Sequence, residues 1–365
     1  MRGVLLALGL IACTATLPAQ QSWQLGPFTR PTDAPVITPD PASIFTDPVL
    51  HKPVHWEALH TFNPAAIVRD NRIYVLYRAE DDSGTMQIGM HTSRLGLASS
   101  TDGIHFTRLP QPVFYPAADS QQAREWPGGV EDPRIVESPD HTYVLTYTQW
   151  NRKTYSIGIA TSRDLLHWQK HGPAFLHDRN GKYDHLQYKS GGIVTQLVQG
   201  RLLAARIHDR YWMYWGEGAI HLAKSEDLIH WSPVEDSTNA PLEVLHRREG
   251  HFDSGFPEVG PPPLLTESGV VMLYNGKNDA EHGDPALGAN AYAAGQVLFS
   301  KELAVIADRD SDPTLRPEQP FEKTGQYAAG TTFAEGLVYF HNRWFLYYGC
   351  ADSAVGVAVS AEQPR

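Results

Sequence analysis

Short apolar runs recur along the chain. Four of them are rich in β-branched and aromatic residues, with glycine, asparagine or aspartate close to their ends: Ile73–Tyr77, Tyr143–Tyr147, Val270–Tyr274 and Trp344–Tyr348. Runs of this length and composition, bounded by turn-forming residues, are typical of β-strands. No segment shows the sustained 3.6-residue periodicity of an amphipathic helix. The pattern therefore predicts an all-β fold.

A longer pattern repeats as well. The segment Ala98–Phe106 returns as Ala160–Trp168 and again as Ala223–Trp231, with Ser, an acidic residue and an aromatic residue in aligned positions. Gln296–Ser300 and Gly356–Ser360 resemble the strand that ends in the aligned serine, and the five serines are 62, 63, 75 and 60 residues apart. A period of this size indicates a repeat architecture. Five units of four strands predict a five-bladed β-propeller, with the Ser and Asp side chains satisfying the backbone of a turn.

The N-terminus differs from the rest of the chain. The apolar stretch Val4–Ala12 follows an arginine, and a small residue, Ala19, precedes two glutamines. This layout is that of a secretory signal peptide covering residues 1–19. It leaves residues 20–365 as a single mature domain.

An alternative for the same stretch is a lipobox. Leu10–Cys13 has the required pattern, and a lipid on Cys13 would then anchor the protein. Both interpretations predict an exported protein that is periplasmic or extracellular, and in the second case a lipoprotein.

Composition excludes several classes of function. The net charge is −11 and no run of basic residues occurs, so a nucleic acid is not an expected partner. Beyond the N-terminus no apolar stretch is long enough to span a membrane. Cys350 is the only cysteine besides Cys13, and none of the 17 histidines forms a ligand pair on a suitable element. The sequence therefore predicts no intrachain disulfide in the cleaved form, no metal site and no other cofactor.

Candidate functional residues stand where the repeat is interrupted. In Trp126–Arg134 two adjacent carboxylates, Glu131 and Asp132, lie between glycines and a proline. Pro133 is expected to hold Asp132 in an extended backbone, which gives its side chain a defined direction. An ordinary turn is the alternative interpretation of this segment.

Two further segments carry a carboxylate beside aromatic residues or prolines. Tyr211–Glu217 combines a glutamate with several rings, and a ring such as that of Trp215 offers a face on which a sugar stacks. Phe252–Pro263 contains Glu258 and four prolines, which give up backbone donors that a mere linker would keep. A core strand ending in a solvated glutamate is the alternative for the first segment.

Five motifs, in order along the chain, resemble those of glycoside hydrolase family 130, which contains mannoside phosphorylases and β-mannosidases. The matching segments are Phe62–Ala65, Tyr77–Asp81, Gly129–Arg134, Gly260–Pro263 and Tyr347–Asp352. The resemblance covers essentially the whole mature chain. It implies a five-bladed β-propeller and a mannose-containing oligosaccharide or glycan as the substrate.

The resemblance also implies roles for single residues. Asp132 takes the place of the family's proton donor, which passes its proton through a hydroxyl of the −1 mannose. Asp352 corresponds to an aspartate that helps to bind that mannose. Three more residues are expected to line the same pocket: Asn63, Arg78 and Asp81.

Departures from the phosphorylases of the family favour hydrolysis. Those enzymes hold phosphate with a lysine-rich form of the Gly-Pro-Pro-Pro segment and a Tyr-His-Gly strand end. This chain has Glu258 in the first and Asn275 in the second. A carboxylate beside a phosphate costs about 4 kcal/mol at about 4 Å and an effective dielectric constant of about 20. We assign Asn275, like Trp215, to the binding of the sugar.

The resemblance extends to the hydrolytic branch that cleaves β-1,2-linked mannosides, in which two glutamates orient the attacking water. Glu217 and Glu258 match that pair. The sequence therefore predicts a secreted inverting glycoside hydrolase that releases mannose from β-mannosides. A mannoside phosphorylase is the first alternative, because Lys189 and Arg206 offer positive charge. A carbohydrate-binding propeller without catalysis is the second.

Overall fold

The computed structural model describes residues 21–184 and 186–362. The signal peptide predicted for residues 1–19, together with Cys13 as a lipid anchor, lies outside the described residues. Within them, strands make up nearly all of the regular structure, so the all-β prediction is confirmed. One short helix, α1 (Gln122–Glu125), and two single 3₁₀ turns, Asp178–Asn180 and Pro320–Glu322, interrupt the strands.

The strands of the described residues are numbered in chain order. They are β1 (Phe28–Thr29), β2 (Phe45–Asp47), β3 (Lys52–Val54), β4 (His60–Arg69), β5 (Arg72–Glu80), β6 (Ser93–Ser100), β7 (Thr107–Arg108), β8 (Gly129–Glu137), β9 (Tyr143–Trp150), β10 (Tyr155–Ser162), β11 (Trp168–Pro173), β12 (Gly191–Ile193), β13 (Thr195–Val198), β14 (Arg201–Ala204), β15 (Arg206–Ile207), β16 (Arg210–Trp215), β17 (Ile220–Ser225), β18 (Trp231–Pro233), β19 (Glu243–Leu245), β20 (Phe256–Val259), β21 (Leu264–Leu265), β22 (Val270–Lys277), β23 (Tyr292–Phe299), β24 (Ile306–Arg309), β25 (Thr332–Phe340), β26 (Arg343–Cys350) and β27 (Ala354–Ser360).

Antiparallel pairing gathers most of these strands into five successive groups. The groups are β4–β7, β8–β11, β12 with β15–β19, β20–β24, and β25–β27. The N-terminal strand β1 joins the last group, since Phe28 pairs with Ser360 and Thr29 with Val359. The hairpin β13–β14 connects groups through parallel pairs, β14 with β8 and β13 with β21.

The repeated Ser and Asp residues form the turn that was predicted for them. The hydroxyl of Ser162 accepts a hydrogen bond from the backbone N–H of Leu165 at 2.9 Å. The carboxylate of Asp164 accepts two more from the N–H groups that follow, both at 2.8 Å. The turns that begin at Ser100 and Ser225 contain the same bonds. These bonds are local, which explains why the motif can be recognised in the sequence.

Apolar side chains fill the spaces between neighbouring groups. Val75 and Tyr77 of the first group pack in one cluster with Tyr347 of the last, and Leu97 of the first packs with Leu145 of the second. Strand β4 contacts both β8 and β25. Residues that interrupt these three strands therefore come close to one another in space.

Three further features of the described part of the chain concern membrane-spanning helices, metal sites and free cysteines. None of its helices is long and apolar enough to cross a membrane. Residues 21–184 and 186–362 contain no group of three or more His, Cys, Asp or Glu residues placed to hold a metal ion. Cys350 is buried and free.

Candidate active site

A cavity of about 320 Å³ brings together six of the nine residues predicted to act. They are Asn63, Arg78, Asp132, Glu217, Glu258 and Asp352. Aromatic residues complete much of the lining: Phe62, Trp150, Tyr155, Tyr292, Tyr327 and Phe333. Rings and charged groups that converge in one concave space suit a sugar, which has apolar ring faces and polar hydroxyls.

Two of the six residues stand at β-bulges. The pairing of β4 with β5 shifts register around Asn63, and the pairing of β8 with β9 shifts around Asp132. Their φ angles are 45° and 47°, in the left-handed region. A bulge breaks the regular alternation of a strand and re-aims a side chain. Here both side chains reach the cavity and each other.

The extended backbone predicted for Asp132 from the following proline is wrong. Its φ of 47° arises because the strand bulges at this point, and the bulge overrides the usual preference of a residue before proline. Asp352 has a similar φ of 51° in the turn after β26. Non-glycine residues in this region carry backbone strain, which proteins concentrate at functional sites.

Asp132 is 4% exposed, and one of its carboxylate oxygens accepts two side-chain hydrogen bonds. Nδ2 of Asn63 donates to Oδ1 at 2.8 Å, and Nη1 of Arg78 donates to the same oxygen at 3.1 Å. Burial works to raise the pKa of Asp132, but the positive charges of Arg78 and Lys189 outweigh it and lower the pKa to about 2. Asp132 is therefore a carboxylate in the unliganded cavity.

The carboxyl groups beside Asp132 have raised pKa values instead. Burial raises the pKa of Glu131 to about 7 although Arg78 opposes it. Burial also raises the pKa of Asp352 to about 7, again against Arg78 and with repulsion from Asp132. Arg78 lies 2.8 Å from Glu131 and 2.6 Å from Glu80, so its charge is shared among several carboxylates. The cluster as a whole holds protons up to neutral pH.

Glu217 and Glu258 form a second carboxylate pair. An isolated backbone bridge joins the two residues, so their side chains share one part of the wall. The hydroxyl of Ser190 donates to Oε1 of Glu258 at 2.5 Å, and the hydroxyl of Tyr155 donates to Oε1 of Glu217 at 3.3 Å. Burial raises the pKa of Glu258, and the charge of Lys189 opposes this rise.

Lys189 stands between the two carboxylate groups. Its Nζ lies 3.3 Å from Oε1 of Glu258, 3.4 Å from Oε2 of Glu217 and 4.0 Å from Oδ2 of Asp132. Burial disfavours the ammonium, but the three carboxylates outweigh burial and raise the pKa of Lys189 well above its usual value. Lys189 is thus a permanent positive charge in the wall. From the sequence, Lys189 was predicted only as a phosphate ligand of the phosphorylase alternative.

Arg134 connects the two carboxylate walls from behind the lining. Its buried guanidinium donates to the backbone carbonyls of Asp132 at 3.1 Å, Val259 at 2.6 Å and Gly260 at 2.8 Å. The fully buried Glu335 lies 3.0 Å from Nη2 of the same guanidinium. One side chain therefore fixes the backbone of Asp132 relative to the strand that carries Glu258.

Three residues predicted to bind substrate lie outside the lining: Asp81, Trp215 and Asn275. Oδ2 of Asp81 accepts a hydrogen bond from Arg94 at 2.8 Å, and both side chains are fully buried. Arg78 on β5 lines the cavity, whereas Asp81 follows the end of that strand and is held by Arg94 outside the lining. The ring of Trp215 is buried and stacks on His221, with centroids 4.6 Å apart.

Asn275 acts on the neighbouring strand. Its Nδ2 donates to the carbonyl of Ala334 at 3.0 Å, and its Oδ1 accepts from the N–H of the same residue at 2.8 Å. The pairing of β25 with β26 shifts register next to this point, around Glu335. Asn275 thus holds the bulged strand that presents Glu335 to Arg134.

The aromatic residues of the cavity rim were not predicted from the sequence. Trp150 and Tyr155 are paired at the facing ends of β9 and β10, and their rings meet edge to face at 6.3 Å. The sequence indicates that both residues lie at strand ends next to a turn. It does not indicate which side of the hairpin faces the cavity. Arg206, the second proposed cation, is exposed and lies over the ring of Tyr211, outside the cavity lining.

The chain is similar to known proteins over nearly its whole length. A family model for glycoside hydrolase family 130, described as beta-1,4-mannooligosaccharide phosphorylase, matches residues 38–363. The 1,2-beta-oligomannan phosphorylase of Thermoanaerobacter sp. (strain X514) is 31% identical over 309 residues, which is 83% of this chain and 90% of that protein.

Two solved structures are more similar in sequence. One, reported under the words "The GH130 family of mannoside phosphorylases contains glycoside hydrolases that target beta-1,2 mannosidic linkages in Candida mannan", is 48% identical with a TM-score of 0.93 and covers 95% of this chain and 97% of its own. A glycosyl hydrolase from Bacteroides ovatus is 48% identical with a TM-score of 0.92, at the same coverage of both chains.

The Arg134 and Glu335 pair should respond asymmetrically to substitution. Arg134→Met removes the donor of three buried carbonyls and the cation beside Glu335, and we expect a loss of about 3–5 kcal/mol in the free energy of unfolding. Glu335→Gln should cost less, because Arg134 keeps its three carbonyl acceptors. Urea unfolding of both variants measures the difference. Equal losses would show that the ion pair matters more than the carbonyl bonds.

Glu131 should make stability depend on pH. Its folded pKa of about 7 lies above its ordinary value of 4.5, so wild-type stability should fall as the pH rises through this interval. Glu131→Gln does not titrate, and Arg78 keeps Glu80 and Asp132 as partners. The variant should therefore melt roughly 2–5 °C above wild type at pH 8, with the gain shrinking toward pH 5.

Melting curves at both pH values test this expectation. The exposed Glu249, changed to Gln, is the matched control and should show no such pH-dependent gain. A constant difference between the Glu131 variant and wild type at both pH values would contradict the proposed cause.

Proposed function

Because this chain belongs to glycoside hydrolase family 130 and is an enzyme that acts on mannosides, we propose that it hydrolyses β-1,2-linked mannosides with inversion, releasing mannose. Asp132 is the proton donor, and Glu217 and Glu258 orient the attacking water. Asn63, Arg78 and Asp352 bind the −1 mannose, while Asp81, Trp215 and Asn275 support the site from behind. The substrate is a mannose-containing oligosaccharide or glycan.

The observation that carries hydrolysis is the position of the two glutamates beside Lys189. Their oxygens lie 3.3 and 3.4 Å from its Nζ, so the charge that a phosphate dianion would need is already matched by carboxylates. A phosphate placed there would meet two negative groups at close range. A water molecule meets acceptors that align it and a carboxylate that takes its proton.

The separation of the two carboxylate walls is compatible with an intervening water. Oδ2 of Asp132 lies 4.0 Å from Lys189 Nζ, and Oε2 of Glu217 and Oε1 of Glu258 lie 3.4 and 3.3 Å from it, so these oxygens can be up to 4.0 + 3.4 = 7.4 Å apart. Inverting glycosidases need about 6.5–9.5 Å between acid and base to admit water. Attack on the face opposite the leaving group gives α-mannose from a β-mannoside.

Asp132 must gain a proton before it can act as an acid. Its pKa of about 2 makes it ionised in the unliganded cavity, whereas adjacent Glu131 has a pKa of about 7. Substrate that fills the cavity excludes water and disfavours the ionised form of Asp132. The carboxyl cluster then supplies a proton that passes through the mannose hydroxyl to the leaving oxygen.

The same proposal includes the architecture and the location of the enzyme. The five antiparallel groups are the blades of a five-bladed β-propeller formed by residues 20–365, with β1 completing the last blade. The similar spacing of the repeated serines supports this arrangement. The signal peptide at residues 1–19, or a lipid on Cys13, places the enzyme in the periplasm or outside the cell.

A mannoside phosphorylase is the second candidate. Lys189 favours a phosphorylase, because an ammonium group in the cavity wall binds phosphate when no carboxylate neutralises its charge. The 31% identical relative carries that activity in its name. A carbohydrate-binding protein without catalysis is the third candidate.

Asp132→Asn should abolish most turnover while the fold persists, because the change removes the proton source and keeps the volume. Proton delivery is typically worth about 10²–10⁴-fold in rate. The measurement is kcat on β-1,2-mannobiose, with melting temperature as the control. Near wild-type turnover by the folded variant would reject Asp132 as the acid.

The decisive experiment combines phosphate dependence with stereochemistry. We expect release of mannose from β-1,2-mannobiose to be insensitive to millimolar phosphate and to yield α-mannose first, with no mannose 1-phosphate. Proton NMR of the fresh reaction reads the anomer before mutarotation. Phosphate-dependent turnover would favour the phosphorylase, initial β-mannose would exclude inversion, and binding without turnover would favour the non-catalytic protein.

A further inference from the structure

A second cavity lies at the far ends of the strands that carry the candidate catalytic and binding residues. Asn63, Asp132 and Phe333 line the active-site cavity near the starts of β4, β8 and β25. The last residues of the same three strands line another cavity, of about 640 Å³, which we call the distal cavity. Asp132 and Glu137 of β8 belong to different cavities and are five residues apart, roughly 15 Å at about 3.3 Å per strand residue.

Four hairpin turns surround the distal cavity. They join β4 to β5, β8 to β9, β13 to β14 and β25 to β26. Polar residues occupy the tips of all four turns, and those that line the cavity include Asn71, His141, Gln199, His341 and Asn342. The distal cavity is therefore bordered by hydrogen-bonding groups from several parts of the chain.

Glu137 gives the distal cavity an acceptor that no group of the described chain satisfies. Its side chain is 1% exposed and belongs to the lining. Oε1 accepts from Arg201 and lies 2.8 Å from Nδ1 of His141, whereas Oε2 has no hydrogen-bond partner within residues 21–184 and 186–362. A buried acceptor without a donor is costly, so Oε2 favours a ligand that brings hydroxyl groups into the cavity.

The charges of the distal cavity balance one another. Each of its three arginines is paired with a carboxylate: Arg69 with Asp70 at 3.2 Å, Arg163 with Asp140 at 3.0 Å and Arg201 with Glu137. Paired charges leave little net attraction for a phosphate or another anion. A neutral ligand whose hydroxyls both donate and accept hydrogen bonds can use the guanidinium groups and the carboxylates alike.

Aromatic rings stand among these polar groups. Tyr143, Tyr339 and Phe340 line the distal cavity, and the guanidinium of Arg69 lies over the ring of Tyr143 at 6.0 Å. Rings beside donors and acceptors suit a sugar, which has apolar faces and polar edges. The distal cavity has twice the volume of the active-site cavity, about 640 against about 320 Å³, so it has room for a short oligosaccharide.

We propose that the distal cavity is a second, non-catalytic binding site for a mannose-containing glycan. The inference rests on the proposed function for the kind of glycan, because the same polymer supplies the chain end that is cleaved. Every residue of β8 between Asp132 and Glu137 is buried, so one short oligosaccharide cannot occupy both cavities. The distal site binds another branch or a neighbouring chain, and binding through two sites strengthens the hold on a polymer.

Glycine substitutions remove lining side chains with little effect on the backbone. Gln199 and His341 are exposed turn residues with φ angles of 50° and 47°, which glycine adopts without strain. The distal variant is therefore Gln199→Gly/His341→Gly. The matched control is His51→Gly/Asn239→Gly, at exposed turn positions with φ angles of 54° and 65° outside both cavities.

The first measurement is native electrophoresis through gels that contain a soluble branched mannan. Wild type and the control should be retarded equally, and the distal variant should bind the polymer about tenfold more weakly, because two polar contacts are lost. On β-1,2-mannobiose its kcat and KM should stay within about twofold of wild type, since the two cavities are too far apart to couple. Equal retardation of the folded distal variant and wild type would overturn the inference.

The second measurement counts binding sites by calorimetry with β-1,2-mannotetraose. Asp132→Asn should bind two molecules per chain, and the same protein with the distal substitutions should bind one. One molecule per chain in both proteins would contradict a second site. Binding of inorganic phosphate that the distal substitutions abolish would also contradict it, because the cavity would then be an anion site.

Failure of the proposed function gives a different result. Wild type that does not act on β-1,2-mannobiose would refute the proposed activity, while the mannan gel would still report on the distal cavity. If the distal double variant does not fold, His341→Gly alone serves, with Asn239→Gly as its control. Melting curves establish that each variant is folded.

Discussion

The buried guanidinium of Arg134 determines the geometry on which the rest of the site depends. The acid candidate Asp132 lies on β8 and the base candidate Glu258 on β20, in different antiparallel groups, so their relative position depends on a contact that joins the two strands. Arg134 donates to backbone carbonyls on both sides, at Asp132 and at Val259 and Gly260. A planar group with fixed donor directions transmits position between the strands, which a flexible ammonium does not do.

Charge balance is the second constraint, and it explains the contrasting pKa values. Five carboxyl groups line one cavity, and two cations, Arg78 and Lys189, face them. At Asp132 the charges of Arg78 and Lys189 together outweigh burial and lower the pKa to about 2, whereas at Glu131 and Asp352 burial outweighs the charge of Arg78 and raises the pKa to about 7. A buried site with more carboxyl groups than cations holds protons on some of those groups, and under the proposed function one such proton is delivered to the leaving group.

Much of this could be predicted from the sequence, and the exceptions have physical causes. The Ser162 and Asp164 turn was recognisable because its hydrogen bonds close within a few residues. Asp132 and Glu258 were recognisable because they interrupt a repeat. Asp81 was placed in the lining because its partner, Arg94, lies on another strand, and a contact between distant residues of this kind is not visible in the sequence. The φ of Asp132 depends on a bulge, which involves the register of two strands and is not encoded by Pro133 alone.

These constraints separate what the fold contributes from what a few side chains contribute. Under the proposed function, the bulged strands and Arg134 place the proton donor Asp132 beside the residues that bind the −1 mannose, whatever the nucleophile is. The nucleophile, in contrast, is decided next to Lys189, where the count of carboxylates sets the sign of the local charge. With Glu217 and Glu258 present that sign is negative, which repels a dianion and gives a water molecule a base. Under the proposed function, hydrolysis therefore follows from two carboxylates around one ammonium, and the strands could support phosphorolysis without any change of fold.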